Sequence, residues 1–393
     1  MPRRTPGAAD QMLIDHADAA GVRVTASQLE RWRAGGLLPR NTQRPLGRGR
    51  GSTSVPAPGA AELVQFLGRE ARAGRRPHDL ALRAFDAGLS VPDSAVRAAL
   101  AATISRIRLQ AEDELSAVGA DRSDWAWEVA ERELGRHRRG VLMPRRMRRI
   151  DERLAKVLSW SHESIARYDR GPAVPDPMSA RDVDALSVAT MLGGGEELGG
   201  PVMAAMLRAM SPDGAALPIA SMLEYEDNPD LTQIGDEAGF TMVPAGDMRE
   251  ALLRVVEQAE PAELRLAWEA AGAQRGWALQ LTADVEAELD SGQLGPAALL
   301  WCMGSTIGLH RLTVRTVLRE RRPTLASRAS DTVMLLYTAR ALRVLRQAIP
   351  DGQFGLLPVI VPQYMHELIG VMTPPGFDPL QQMLGATANP TVS

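Results

Sequence analysis

The sequence predicts a mainly α-helical protein: a run of short N-terminal helices interrupted by one hairpin, then a larger all-helical region. Three observations carry that expectation. Ala, Leu and Arg are abundant while aromatic residues make up only 4% of the chain, and those three residue types cost little side-chain entropy in a helix. Apolar residues recur at helical spacing, as at Val96, Leu100, Ile104 and Ile107, which gives a helix one sticky face. The stretch up to Pro58 breaks that rhythm with Pro and Gly-Arg punctuation. At 393 residues the chain exceeds one ordinary core, so two or three domains are expected.

Taken in order, Asp10 to Ala20 reads as a short helix ending at Gly21, and Val22-Arg23-Val24 as a tight turn. Thr25 is expected to cap a second helix, its hydroxyl accepting from an amide of the first turn. Leu29 and Trp32, three apart, share that helix's inner face, and Gly35-Gly36 ends it. The next stretch, to about Pro58, which includes the run LGRGRGSTSV, predicts a short hairpin or extended loop. Helical pattern resumes in GAAELVQFLGREARAG with Leu63, Val64, Phe66 and Leu67, and after RRPHD in LALRAF, where Asp79 is the expected cap. The order is helix, turn, helix, wing-like hairpin, helix, helix. Two short helices across a tight turn can set the second in a DNA major groove.

Residues 91–170 read as a helical connector. Its segment 94–108 is the nearest candidate for a dimer contact. The run GPAVPDPMS, 171–179, has three prolines and a glycine and is the expected linker. An acidic all-helical domain is expected over 180–385, broken at GGGEELGG, SPDGAALP, EYEDNPD and RRPTLAS, with a flexible tail at 386–393.

Net charge is −3, but its distribution is uneven. Residues 1–76 hold thirteen Arg against six Asp and Glu; residues 136–149, RHRRGVLMPRRMRR, hold seven Arg and no acid; residues 176–300 hold twenty-two acids against six Arg. A basic front joined to an acidic back points to a polyanion-binding end and an end with another task. Lys156 is the sole lysine. The 136–149 stretch has two readings: a solvated basic face or linker, and a second phosphate-contacting surface that steepens salt dependence.

Val24-Thr25-Ala26-Ser27-Gln28-Leu29, then Trp32, then Gly36-Leu37-Leu38-Pro39 resembles the recognition-helix region of MerR-type winged helix-turn-helix transcriptional regulators. The resemblance covers residues of about 10–90 and implies a DNA-binding domain over 1–90, with a wing through Gly51-Ser52-Thr53-Ser54-Val55. It also implies a dimer on palindromic double-stranded DNA. Glu30 and Arg31 stand where the family usually carries a basic residue and a tyrosine. The wing lacks the family's aromatic residues.

In that frame Leu29, Leu37 and Leu38 anchor the second helix. Ser27, Gln28, Arg31 and Arg33 are the outward contact candidates, with Arg40, Arg48, Arg50 and Thr53 from the following loop. Gln suits an adenine edge, Ser a base or phosphate, and Arg a phosphate or guanine. Arg48 and Arg50 lie between Gly47, Gly49 and Gly51; glycine permits close backbone approach because it has no Cβ.

No enzyme, catalytic residue, cofactor or metal is expected. Cys302 stands alone and is read as a small apolar residue. The six histidines form no close ligand pair, and His310 reads as a satisfied core histidine. GGGEELGG lacks the Lys-Ser/Thr of a phosphate loop, and GRGRGST is not a dinucleotide fingerprint. MPRRTPGAADQML has no apolar stretch of a signal peptide, and the most apolar run, from Leu294, is too short to span a bilayer. A cytoplasmic protein without membrane contact is expected.

Trp268, Trp277, Trp301 and Tyr337 read as core aromatics, or as the walls of an effector pocket in a C-terminal domain that dimerises, senses a small molecule or holds a protein partner. Two further readings stand beside the regulator: a helical interaction or scaffold protein whose winged helix binds protein, favoured by Glu30, and a small-molecule or enzyme domain over 180–385.

Overall fold

The computed structural model describes residues 6–45, 52–71, 75–105, 144–166, 201–202, 204–205, 208, 235–241, 248–307, 309–319 and 324–348. The linker at 171–179, the tail at 386–393 and His310's side chain lie outside them. The described residues are mainly helical, with one small two-stranded antiparallel sheet. Two compact units divide the chain: residues 1–107 with 324–331, and residues 108–323 with 332–393. No helix among the described residues is long and apolar enough to cross a membrane.

The first unit starts with α1 (Ala8–Ala19), which buries Ala9, Leu13 and Ala17 along one stripe. α2 (Ala26–Ala34) buries Leu29 and Trp32. β1 (Thr42–Pro45) and β2 (Ser52–Val55) pair antiparallel, with Thr42 opposite Val55 and Arg44 opposite Thr53. The first strand therefore begins before the Gly-Arg run, at Thr42. β-Branched and short polar side chains suit a pleated ribbon better than the glycines do. α3 (Ala60–Glu70) buries Leu63, Val64 and Leu67 and packs on α1. A Cβ on its Gly68 would sit 2.4 Å from Val22 Cγ1 and 2.9 Å from Val24 Cγ2. The bare glycine thus lets the helix press against the α1–α2 turn.

α4 (Pro77–Asp86) corrects one expectation. Its N-cap is Arg76, with no side-chain cap, and Pro77 opens the helix. Asp79 lies inside the first turn, where a carboxylate meets the helix dipole instead of capping it. Proline's fixed φ and missing N–H make it a suitable first helical residue. α5 (Asp93–Ser105) packs on α4 and buries Val96, Ala99, Leu100 and Ile104. The stripe that reads as a dimer contact is therefore covered within the same chain; Ile107 lies outside the described residues.

The second unit holds α6 (Arg145–Ala166), α7 (Met248–Gln258), α8 (Pro261–Ser291), α9 (Pro296–Ile307), α10 (Leu309–Arg319) and most of α11 (Leu325–Ala348), helices of 11 to 31 residues. One core joins Met147, Ile150 and Leu154 of α6 to Ala278, Leu281, Val285 and Leu289 of α8, Ala298 and Trp301 of α9, and Val314 and Val317 of α10. Trp268, Trp301 and Tyr337 are buried and Trp277 is partly so; Cys302 packs half-buried against this core.

The α8–α9 corner is closed by Glu288. Its carboxylate accepts from the backbone N–H of Gly295 (3.0 Å), Ala297 (2.9 Å) and Ala298 (2.7 Å). These are the orphan donors of the next helix's first turn. Burial pushes this carboxyl's pKa up, but the three N–H groups outweigh burial and hold it below the usual range.

Candidate nucleic-acid interface

A nine-residue helix is too short to persist on its own in water, so α2 depends on its ends and on packing. At its start Gln28 N–H donates to Thr25 Oγ1 (3.3 Å), while Thr25 N–H donates to Gln28 Oε1 (2.8 Å). This capping box satisfies two donors reciprocally. At its end Gly36 takes φ +71°, the left-handed region. There Leu37 N–H reaches Trp32 O at 2.8 Å and Gly36 N–H reaches Arg33 O at 3.0 Å. That is the Schellman closure, and its usual apolar contact falls to buried Leu37 and Trp32. The Gly-Gly-Leu-Leu sequence is thus the stop of α2, with the leucines returning the chain to the core.

With Leu29 and Trp32 inward, Ser27, Glu30, Arg31 and Ala34 are exposed. Ser27 Oγ lies 3.1 Å from Thr25 Oγ1, within the cap. Gln28 is half-buried, its oxygen engaged by the capping box, so a bidentate contact to an adenine requires releasing the helix cap. Arg33 turns to its own chain. Its Nη2 donates to Asp10 Oδ1 at 2.6 Å and to Asn41 Oδ1 at 3.0 Å, and Asn41 Nδ2 donates to the same Asp10 oxygen at 3.1 Å. The three side chains tie α1, α2 and the entry to β1 together. Burial pushes the Asp10 carboxyl's pKa up, yet the Arg33 and Asn41 hydrogen bonds and the guanidinium charge outweigh it and hold the carboxyl low.

Arg40 is exposed beyond α2, and Thr53 is half-buried on β2. Arg48 and Arg50 lie outside the described residues. Every residue of β1 is exposed, including Arg44, which reasoning from the Gly-Arg run passes over. Its signal was present: it alternates with Gln43 and Pro45 before the run. On the ribbon Ser52 Oγ donates to Gln43 Oε1 at 2.6 Å. The exposed side of α2 and β1 therefore offers hydroxyl and guanidinium donors together with one carboxylate, Glu30. Donors of this kind suit an anionic, hydrogen-bond-accepting ligand.

No protein-family model matches the chain, and neither curated proteins nor solved structures give a match.

Proposed function

We propose that the N-terminal unit is a winged helix-turn-helix and that the protein is a sequence-specific transcriptional regulator acting on double-stranded DNA. One observation carries this reading. Two short helices across a tight turn are followed directly by an antiparallel ribbon, and Ser27 and Arg31 of the second helix, with Arg40 and Arg44 after it, face solvent. In helix-turn-helix proteins the second helix enters the major groove. Here Ser27 and Arg31 are the base or phosphate contacts, and Arg40, Arg44 and Thr53 belong to the flanking phosphate side. Arg48 and Arg50 extend that side on sequence alone. Gln28 and Arg33 act first as parts of the scaffold. The larger second unit serves dimerisation and effector or partner binding, in the cytoplasm, and the protein has a binding function and no catalytic one.

The test is binding of the full chain to random-sequence duplex DNA across a salt series, beside a variant carrying Arg31→Ala, Arg40→Ala and Arg44→Ala. Phosphate contacts release counterions, so affinity falls steeply with salt, with a slope of about 0.9 per contact. The variant is expected to flatten that slope by about 2 to 3. A second reading is favoured by Glu30, whose exposed carboxylate on α2 opposes a phosphate backbone: the same surface then binds protein. An unchanged slope in the variant sinks the DNA contact at α2 and β1 and leaves that second reading.

A further inference from the structure

The basic stretch 136–149 is left unused by that reading, and α6 shows what its second half does. Met147, Ile150 and Leu154 recur at i, i+3 and i+7 and are all buried in the second unit's core. The flanks beside them are taken as well. Arg146 donates to both carboxylate oxygens of Glu286, at 2.9 and 2.6 Å, and Arg153 pairs with Asp290 at 2.8 Å. On the other flank Trp301 Nε1–H donates to Asp151 at 2.8 Å.

Arg145, Arg148 and Arg149 remain, all exposed on the opposite side, with Glu152 and Lys156 following them. Among the described residues no carboxylate is paired with these three arginines. The acids of α8 thus neutralise the flank cations and leave the outer ones.

We propose that the outer face of α6, through Arg145, Arg148 and Arg149, is a second contact surface for the phosphate backbone of duplex DNA. The choice of occupant rests on the reading of the chain as DNA-binding; the surface rests on α6 alone. Arg145 and Arg149 stand four residues apart, about 6 Å along the helix. A DNA strand presents a phosphate about every 3.4 Å of axis, so neighbouring phosphates fall within reach of both long side chains. An anionic bilayer fits less well. A helix that binds in the membrane interface needs its large apolar residues on the exposed side, and here Met147, Ile150 and Leu154 are buried while Val157 alone is exposed among the described large apolar side chains of α6. Glu152 interrupts the cationic row and opposes the same ligand.

The experiment measures the full chain on random-sequence duplex DNA over a salt series, with Arg145→Ala, Arg148→Ala and Arg149→Ala combined. Three lost contacts make the log–log salt slope shallower by about 2 to 3. The same three positions changed to Lys keep the slope, and Glu152→Gln raises affinity at low salt. The Lys and Gln variants keep the measurement decisive if the alanine variant unfolds, and circular dichroism checks that each is helical.

Beside it runs the variant at Arg31, Arg40 and Arg44. If only that variant flattens the slope, the α6 surface is overturned while the proposed function stands. If only the α6 variant does so, the α6 surface stands and the α2 contact fails. Absence of duplex binding by the unaltered protein overturns both. Binding to phosphatidylserine vesicles that is lost in the α6 variant, with duplex binding unchanged, overturns DNA as the occupant.

Discussion

α2 and α6 both bury an apolar stripe and carry arginines outside it, yet they are secured differently. α2 has nine residues and is closed by bonds within its own neighbourhood: Thr25 with Gln28 at the start, Gly36 and Leu37 with Arg33 and Trp32 at the end. α6 has twenty-two residues and is tied to partners far along the chain, Arg146 to Glu286 and Asp151 to Trp301. The difference follows from helix cooperativity. A short helix needs its stop signals in the sequence, whereas a long amphipathic one needs a neighbour to cover its stripe. Both helices also pair arginines within the chain, α2 Arg33 with Asp10, and α6 Arg146 with Glu286 and Arg153 with Asp290. Charge counts over a segment therefore overstate the charge left unpaired.

The strongest way to break the contrast is to empty each core. Trp32→Ala removes a buried indole from the first unit, at a cost of about 3–5 kcal/mol, and Leu154→Ala costs about 2–5 kcal/mol in the second. Hydrogen exchange read by mass spectrometry is expected to lose protection over residues 8–105 in the first variant and over 261–319 in the second. Equal loss in both regions from either variant would show that the two stripes are not separate cores.

A smaller effect sharpens the local side of the contrast. Gly68→Ala gains up to about 1 kcal/mol of helix propensity. The added methyl overlaps Val22 and Val24, and overpacking of this kind costs about 1–3 kcal/mol. Net destabilisation is expected in urea unfolding, and Val22→Ala in the same background is expected to recover part of it. Additive losses would rule out the close approach as the cause.

The smallest expected effect compares two carboxylates, Asp10 held by a guanidinium and an amide, Glu288 by backbone N–H groups. Both have folded pKa values depressed below their ordinary ones. Each therefore adds stability that is present above the unfolded value, near 4, and is lost as pH falls through the folded value. Asp10→Asn and Glu288→Gln should each lower the midpoint of urea unfolding at pH 7, by less as the pH is taken below about 4. A deficit that persists unchanged at pH 2 would mean the charge is not what stabilises.

The parts of the fold that were legible are those written within a few residues. Thr25 as a cap, Leu29 and Trp32 as an inner face, and Gly35-Gly36 as a stop all follow from spacing and backbone chemistry, and the structure has each of them. The apolar register of α3 was legible for the same reason. The box partner Gln28 was within reach too, since Thr-x-x-Gln is a local pattern; its amide suits an adenine equally well, and sequence does not rank the two uses. Arg33 was beyond reach. Its inward turn depends on Asp10, twenty-three residues earlier, and nothing in the segment that carries Arg33 marks a distant partner. The sharing of arginines along α6 was hidden likewise, because Glu286 and Asp290 lie in the acidic half of the chain. Of the DNA-contact candidates, Ser27, Arg31 and Arg40 are exposed and Thr53 is half-buried on the ribbon.

The contact of Gly68 with Val22 and Val24 also carries a meaning for synthesis. Synthesis adds the α1–α2 turn before it adds Gly68, so when the turn is made the surface on which the two valines rest does not yet exist. Until α3 emerges, the two helices have the Arg33–Asp10 tie and the caps of α2, but not the helix that rests on their turn. The turn between them is therefore closed over only when a later stretch of the chain arrives.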